Sequence, residues 1–183
     1  SGAGKSALAD HLDAQGGVKR FRMDAFYKDT HECPRTADGT VHWDLPESLH
    51  LDEVFHTLME IKEGHDVFMP VYDRGQCRRT GETVFSPRPI VFAEGMQLYA
   101  DPRIRNLFDL RLWLEVPEEV AIQRRLKRQP DYDLHYYKTV ALPSQRETVV
   151  PLKVHSHATI NGDRSLREIA MDTDRIIQSA LEI

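Results

Sequence analysis

Ser1-Gly2-Ala3-Gly4-Lys5-Ser6 has the residue types and order of the last part of G-x-x-x-x-G-K-[ST]. In that loop, backbone N–H groups cradle the phosphates of a nucleotide. Lys5 is placed to reach the β- and γ-phosphates, and the Ser6 hydroxyl to hold Mg²⁺. A helix following the loop points its positive end at the same phosphates. The other reading of this segment is a glycine-rich turn with a surface lysine. The opening Gly of the pattern and the strand that feeds it do not precede Ser1, so position 1 is expected to be a cut.

Two more carboxylates sit where strands are expected to end. Glu94 follows the apolar run Ile90-Val91-Phe92-Ala93, the mark of a buried parallel strand. Beside a phosphate loop, a carboxylate there meets the Mg²⁺ shell, directly or through water, or else it caps a turn. Asp24 closes the candidate strand Val18–Met23. It can orient an acceptor hydroxyl and take its proton, or serve only as a capping residue.

The elements that must position these residues follow from periodicity. Ser6 to about Ala14 reads as a short helix stopped by Gly16-Gly17. Residues 25–45 carry turn signals and no sustained period. Leu51, Val54, Phe55, Leu58 and Ile61 mark a helix that ends before Gly64. Asp66–Tyr72 is a strand, and residues 73–89 are a loop or hairpin excursion. Asp109–Val116 is another strand. Pro117 then opens a helix that carries Arg124, Arg125, Lys127 and Arg128 and ends near Pro130. Residues 130–143 show no clear period. His157–Ile160 is a last short strand, and Asn161-Gly162-Asp163 turns into a final helix. Strands alternating with helices imply a parallel sheet covered on both faces, with ligands beyond the carboxyl ends of the strands. That rule points to Asp24, Asp73 and Glu94.

Composition narrows the class. A chain of 183 residues is expected to be a single domain with one core. The net charge of -5 argues against a nucleic-acid surface, and no apolar run reaches membrane-spanning length. Cys33 and Cys77 form no C-x-x-C pair, so free thiols in the cytoplasm are expected.

Several segments resemble the uridine/cytidine kinases, within the phosphoribulokinase/uridine kinase-like P-loop kinases. Met23-Asp24-Ala25-Phe26-Tyr27-Lys28 is similar to their D-x-F-Y segment. His42-Trp43-Asp44-Leu45-Pro46-Glu47 is similar to their aromatic-Asp-x-Pro segment. Pro70-Val71-Tyr72-Asp73 with Arg78-Arg79, Phe92-Ala93-Glu94-Gly95, and Arg124-Arg125 with Lys127-Arg128 resemble their P-x-Y-D…R, apolar-E-G and lid-helix segments. Pro143, Glu147, Pro151 and Lys153 before His157-Ala158-Thr159-Ile160 resemble their closing segment.

The resemblance implies a P-loop NTPase-type doubly wound parallel sheet with helices on both faces. It also implies a small helical lid over about 124–143. ATP and Mg²⁺ are the implied cofactors. Asp24 becomes the base for a nucleoside 5′-hydroxyl, and Asp44 holds the ribose hydroxyls. Tyr72 contacts the base, and Tyr27, Cys77, Arg79 and Arg125 join the substrate side. Ser6, Glu94 and Asp24 form the metal shell. The Ser1–Ser6 loop, with Arg124 and Arg128, takes the nucleotide. The partner is a small-molecule acceptor, and the family commonly assembles into homo-oligomers.

Where the family has a base-reading His, this chain has Cys77, whose thiol is a weak donor and acceptor. The acceptor therefore stays open between uridine or cytidine and nicotinamide riboside, pantothenate, ribulose 5-phosphate or another sugar. A nucleotide-binding switch is the reading from another class. No N-K-x-D segment supports it, and it leaves Asp24 and Asp44 without a task.

Overall fold

The computed structural model describes residues 2–182. The first helix, α1 (Lys5–Ala14), starts at Gly4, whose φ of 98° is left-handed. Leu8, Ala9 and Leu12 form its buried stripe. Strand β1 (Val18–Arg22) follows and pairs in parallel with β4 (Ile90–Glu94), Arg22 lying opposite Glu94. Between them come α2 (Leu51–Lys62) and a hairpin of β2 (Val67–Asp73) with β3 (Arg78–Phe85). The hairpin is antiparallel and shifts register between Val71 and Tyr72. After a short α3 (Pro102–Arg105), β5 (Leu112–Glu115) pairs in parallel with β6 (Ala158–Asn161). Helix α4 (Glu118–Arg128) lies between those two strands in sequence, and α5 (Leu166–Leu181) closes the chain.

Period-2 alternation in β1 divides the interior. Val18 joins Leu8, Leu12, Ile160 and Ile169 beside α1 and α5. Phe21 instead joins Phe26, Val54, Leu58 and Ile61 beside α2. Helices therefore cover both faces, as parallel strands require. Arg20 shares a face with Val18, so its side chain is carried towards α1. Each end of the frame has its own device. Ser165 and Glu168 cap α5 reciprocally, and Glu118 and Glu119 complement the positive end of α4.

The region without sequence period is helical. From Leu134 to His155 the chain runs through short α, π and 3₁₀ turns that bury Tyr137, Ala141, Ser144 and Val149. Residues 130–143, which show no clear period in the sequence, are thus helical from Leu134 onward. Among the described residues the β1–β4 and β5–β6 ladders are not hydrogen-bonded to each other. A cavity of about 1110 Å³ lies along β4 and β5, lined by Val91, Phe92, Leu112 and Leu114, and it reaches Lys5 and Glu94.

The phosphate loop leans directly on α4. Gly2 has φ +87°, and a Cβ there would fall 2.2 Å from the carbonyl oxygen of Ala121. Gly16 has nearly the same φ, +88°, with nothing within 4 Å of an added Cβ. Gly16→Ala should therefore cost only the left-handed strain, about 1–2 kcal/mol. Gly2→Ala should cost more and also weaken ATP binding, because the loop must leave its seat. Thermal melts of both variants with and without ATP check this. Equal melts and equal ATP-induced shifts would contradict it.

Candidate active site

The nucleotide side is built where α1 meets the ends of β1 and β4. Ser6, in the first turn of α1, donates its hydroxyl towards both Glu94 oxygens, at 3.3 and 3.2 Å. Glu94 is buried at the end of β4, where strand pairing fixes its backbone. Its charge is met by Arg20, whose guanidinium bridges Glu94 and Asp10 of α1. The side chains of Arg20 and Glu94 are 7% and 6% exposed. Sequence reasoning did not select Arg20. The available signal was its place two residues after buried Val18, which turns a long cation inward beside a strand-end carboxylate.

Ser6 and Glu94 are hard oxygen donors within reach of one another, and that set suits Mg²⁺. Asp24 stands in a 3₁₀ turn (Met23–Phe26) just after β1. Its carboxylate is taken by Arg74, from the tip of the β2–β3 hairpin, and not by Ser6 or Glu94. Arg74 is a second residue that sequence reasoning missed. Asp24 and Glu94 both act on Arg128 of α4. Burial, then the charges of Arg125 and Arg74, lowers the proton affinity of Arg128, and the two carboxylates oppose that shift.

Next to Asp24 lies an aromatic wall. The Tyr27 ring meets Trp43 at 6.0 Å and Tyr72 at 5.8 Å between centroids. Burial pushes the Tyr27 phenol well above its ordinary pKa, and the nearby charges of Asp24 and Asp44 add to this. One phenol thus lies within the field of both carboxylates. The Tyr72 hydroxyl donates to the Lys28 carbonyl at 3.2 Å. Its proton affinity is also raised, by burial first.

Asp44 is buried and held from several sides. Its stretch is fixed by Ser48, whose hydroxyl donates to the His42 carbonyl at 2.6 Å. The Tyr136 hydroxyl donates to Asp44 Oδ2 at 2.8 Å, and Gln145 Nε2 donates to Oδ1 at 2.9 Å. Gln97 Nε2 and Ser144 Oγ donate to the Asp44 carbonyl, at 2.6 and 3.5 Å. Tyr136 and Gln145 both come from the helical stretch between Leu134 and His155, which shows no clear period in the sequence.

The remaining candidates are placed unevenly. Cys77 has φ 49° and closes the hairpin turn, its thiol donating to the Arg74 carbonyl at 3.3 Å. Arg79 is held by Glu53 at 3.0 and 2.5 Å, and its backbone N–H donates to Asp29. Arg125 stacks on the Tyr132 ring, 4.0 Å from its centroid. Arg124 reaches the other way, donating to the Gly162 carbonyl at 2.8 Å. It ties α4 to the turn after β6 and does not join Arg128. Gly2, Ala3, Gly4 and Lys5 form the loop and the start of α1, whereas Ser1 lies outside the described residues.

A glycine loop opening the first helix, parallel strands with carboxylates at their ends, and a basic helix beside them make a P-loop kinase frame. The chain is an ATP-dependent kinase. The family model for "Phosphoribulokinase / Uridine kinase family" matches residues 1–163, and the chain belongs to that family. A uridine kinase of Haemophilus influenzae (strain PittGG) is 32% identical over 160 residues, covering 83% of this chain and 75% of that protein. A uridine kinase of Borrelia hermsii is 36% identical over 132 residues, covering 70% and 63%. Among solved structures, one described as a possible uridine kinase from Bacillus stearothermophilus superposes with a TM-score of 0.61 at 23% identity, covering 88% of this chain and 84% of that one. Shikimate kinase from Acinetobacter baumannii gives 0.56 at 18% identity, covering 97% and 88%. At these identities the structures speak for the fold. Among the described residues no helix is long and apolar enough to cross a membrane.

Proposed function

We propose that this kinase transfers the γ-phosphoryl group of ATP to the 5′-hydroxyl of a pyrimidine nucleoside, uridine or cytidine. The observation that carries the reading is the pair of carboxylates, Asp24 and Asp44, acting on one aromatic wall. A flat base fits against Tyr27 and Tyr72. A sugar held at one end by Asp44 can then present a primary hydroxyl to Asp24 at the other. The uridine kinases among the relatives support the same choice.

In the proposed reaction Asp24 takes the hydroxyl proton as the acceptor oxygen bonds to the γ-phosphorus. The bond to the ADP oxygen breaks, and ADP leaves with its electron pair. The backbone of the Gly2–Gly4 loop and Lys5 hold the phosphates, while Arg125 and Arg128 supply positive charge from α4. Ser6 and Glu94 would hold Mg²⁺, which supplies neutralisation of the phosphate charge when bound. For Asp24 to act, Arg74 must give up its pairing, or share the carboxylate with the acceptor.

The whole chain reads as one kinase domain with a lid at about 124–143, working in the cytoplasm on a diffusible acceptor. Assembly into homo-oligomers is part of the same reading. A second reading, a different hydroxylated acceptor, is favoured by Cys77 and Arg74 at the hairpin tip. ADP release measured with uridine, cytidine, nicotinamide riboside, pantothenate and ribulose 5-phosphate separates the two. Uridine or cytidine should stimulate release most. Stimulation by pantothenate or ribulose 5-phosphate alone would sink the nucleoside reading. Acceptor-independent hydrolysis would favour a switch.

A further inference from the structure

Arg74 stands on a turn that is fastened from several sides. Asp73 Oδ1 accepts the backbone N–H groups of Gly75 and Gln76 at 2.8 and 3.0 Å, and its Oδ2 accepts Gln76 Nε2 at 2.7 Å. The Cys77 thiol donates to the Arg74 carbonyl. Thr30 donates its backbone N–H and its hydroxyl to the Cys77 carbonyl, both at 3.2 Å. Tyr72 and Arg79, on either side of the tip, bond Lys28 and Asp29. The hairpin tip is thus tied to residues 28–30, just beyond the turn that carries Asp24. The backbone of Arg74 is fixed relative to Asp24, while its side chain, 65% exposed, can swing at little cost.

That side chain reaches into the site and pairs with Asp24 Oδ2. Burial dominates the proton affinities of Tyr27, Tyr72 and Arg128, and the positive charge of Arg74 acts on all three. Arg74 therefore stands close to both the aromatic wall and α4. Helix α4 alone covers this point thinly. Arg124 is turned to the Gly162 carbonyl and Arg125 lies on Tyr132, which leaves Arg128 to face Asp24 and Glu94.

Geometry connects Arg74 to the reaction. A hydroxyl whose proton passes to Asp24 lies about 3 Å from that carboxylate, and about 3–3.5 Å from the phosphorus it attacks. A cation on Asp24 is then beside the phosphoryl oxygens over which charge spreads in the transition state. Oδ2 cannot stay fully committed to Arg74 while it receives the proton. The γ-phosphoryl group is an anion that can draw the guanidinium away, because its donor fork matches phosphate as well as carboxylate.

We infer that Arg74 is a catalytic residue of this kinase: it holds Asp24 until ATP and acceptor arrive, then passes to the transferring phosphoryl group. One movement frees the base and adds a cation facing Arg128. The inference rests on the reading of Asp24 as the acceptor's base, and on no particular acceptor.

The test uses the full chain with whichever of uridine, cytidine, nicotinamide riboside, pantothenate and ribulose 5-phosphate most stimulates ADP release. Arg74→Ala should lower kcat by about 10²–10³-fold, the loss that follows removal of one transition-state donor. The KM for the acceptor, and ATP affinity by calorimetry, should change far less. Arg74→Lys should recover part of kcat, because it restores the charge without the fork. ADP with magnesium and aluminium fluoride mimics the transferring phosphoryl group. Its affinity should fall with kcat in Arg74→Ala while that of ATP holds.

Wild-type or higher kcat in Arg74→Ala would overturn the inference, since the arginine would then only occupy the base. A lower kcat with unchanged affinity for the mimic would also overturn it, making Arg74 a partner of Asp24 alone. A fall in melting temperature with equal losses of affinity for ATP and the mimic would mark a structural role and overturn it too. Near-normal turnover in Asp24→Asn would remove the reading of Asp24, and this inference with it. Should none of the five acceptors stimulate release, the nucleoside reading fails, while affinity for the mimic still decides the role of Arg74.

Discussion

Asp24→Asn leaves ATP binding in place and removes phosphoryl transfer, with kcat falling by about 10²–10⁴-fold, the range a positioned general base supplies. The substitution keeps the shape of the side chain. An amide oxygen can still accept from Arg74, so the hairpin tip has no reason to move. What is lost is a destination for the acceptor proton. Among the described residues Asp24 makes no hydrogen bond or ion pair with Lys5, Ser6 or Glu94, its partner being Arg74, so nucleotide affinity should hold. Calorimetric titration with ATP, alongside ADP release with the acceptor that drives the wild type, reads both quantities. Near-normal turnover would remove Asp24 from the chemistry.

The second large effect concerns stability. Arg20→Leu strands the buried Glu94 carboxylate without its cation, and losing one partner of a buried pair costs about 3–5 kcal/mol. Leucine approximates the aliphatic stem, so little of the cost is lost packing. Asp10, on the other side of Arg20, is well exposed and can turn to water, so it adds little. Urea unfolding should show the midpoint fall with an unchanged slope. A loss under about 1 kcal/mol would mean that the pair behaves like a surface one. The double variant Arg20→Leu with Glu94→Gln should recover part of the loss, since it removes the stranded charge.

Much of the frame was legible because its elements bury strong hydrophobes at regular spacing. Helix α2 shows this best: the stripe through Val54, Leu58 and Ile61 is the one that faces the core. The apolar run of β4 likewise announced a buried parallel strand ending on Glu94. The stretch 134–155 failed for a physical reason. Its buried positions are Tyr137, Ala141, Ser144 and Val149, and two of these are small and weakly hydrophobic. Pro143 and Pro151 also interrupt the pattern, although the chain keeps helical dihedrals on both sides of Pro143.

At the site, the types and places of Ser6, Glu94, Asp24 and Asp44 could be read, but their partners could not. Arg20 and Arg74 are surface-like residues by type. Only strand pairing and the hairpin turn carry them to Glu94 and Asp24. Arg124 shows the opposite case. It shares a basic cluster with Arg125 and Arg128, but the helix repeat sends it to Gly162.

The clamp around Asp44 also fixes an order of assembly. Its donors lie 53, 92, 100 and 101 residues further along the chain. Contacts of such separation form only after long loops have closed, and a growing chain supplies its N-terminal parts first. Once β4 has emerged, Ser6 can meet Glu94 and the phosphate side can take shape. Asp44 must wait for Gln145. During synthesis the machinery that holds the phosphoryl donor is ready well before the part that chooses its recipient.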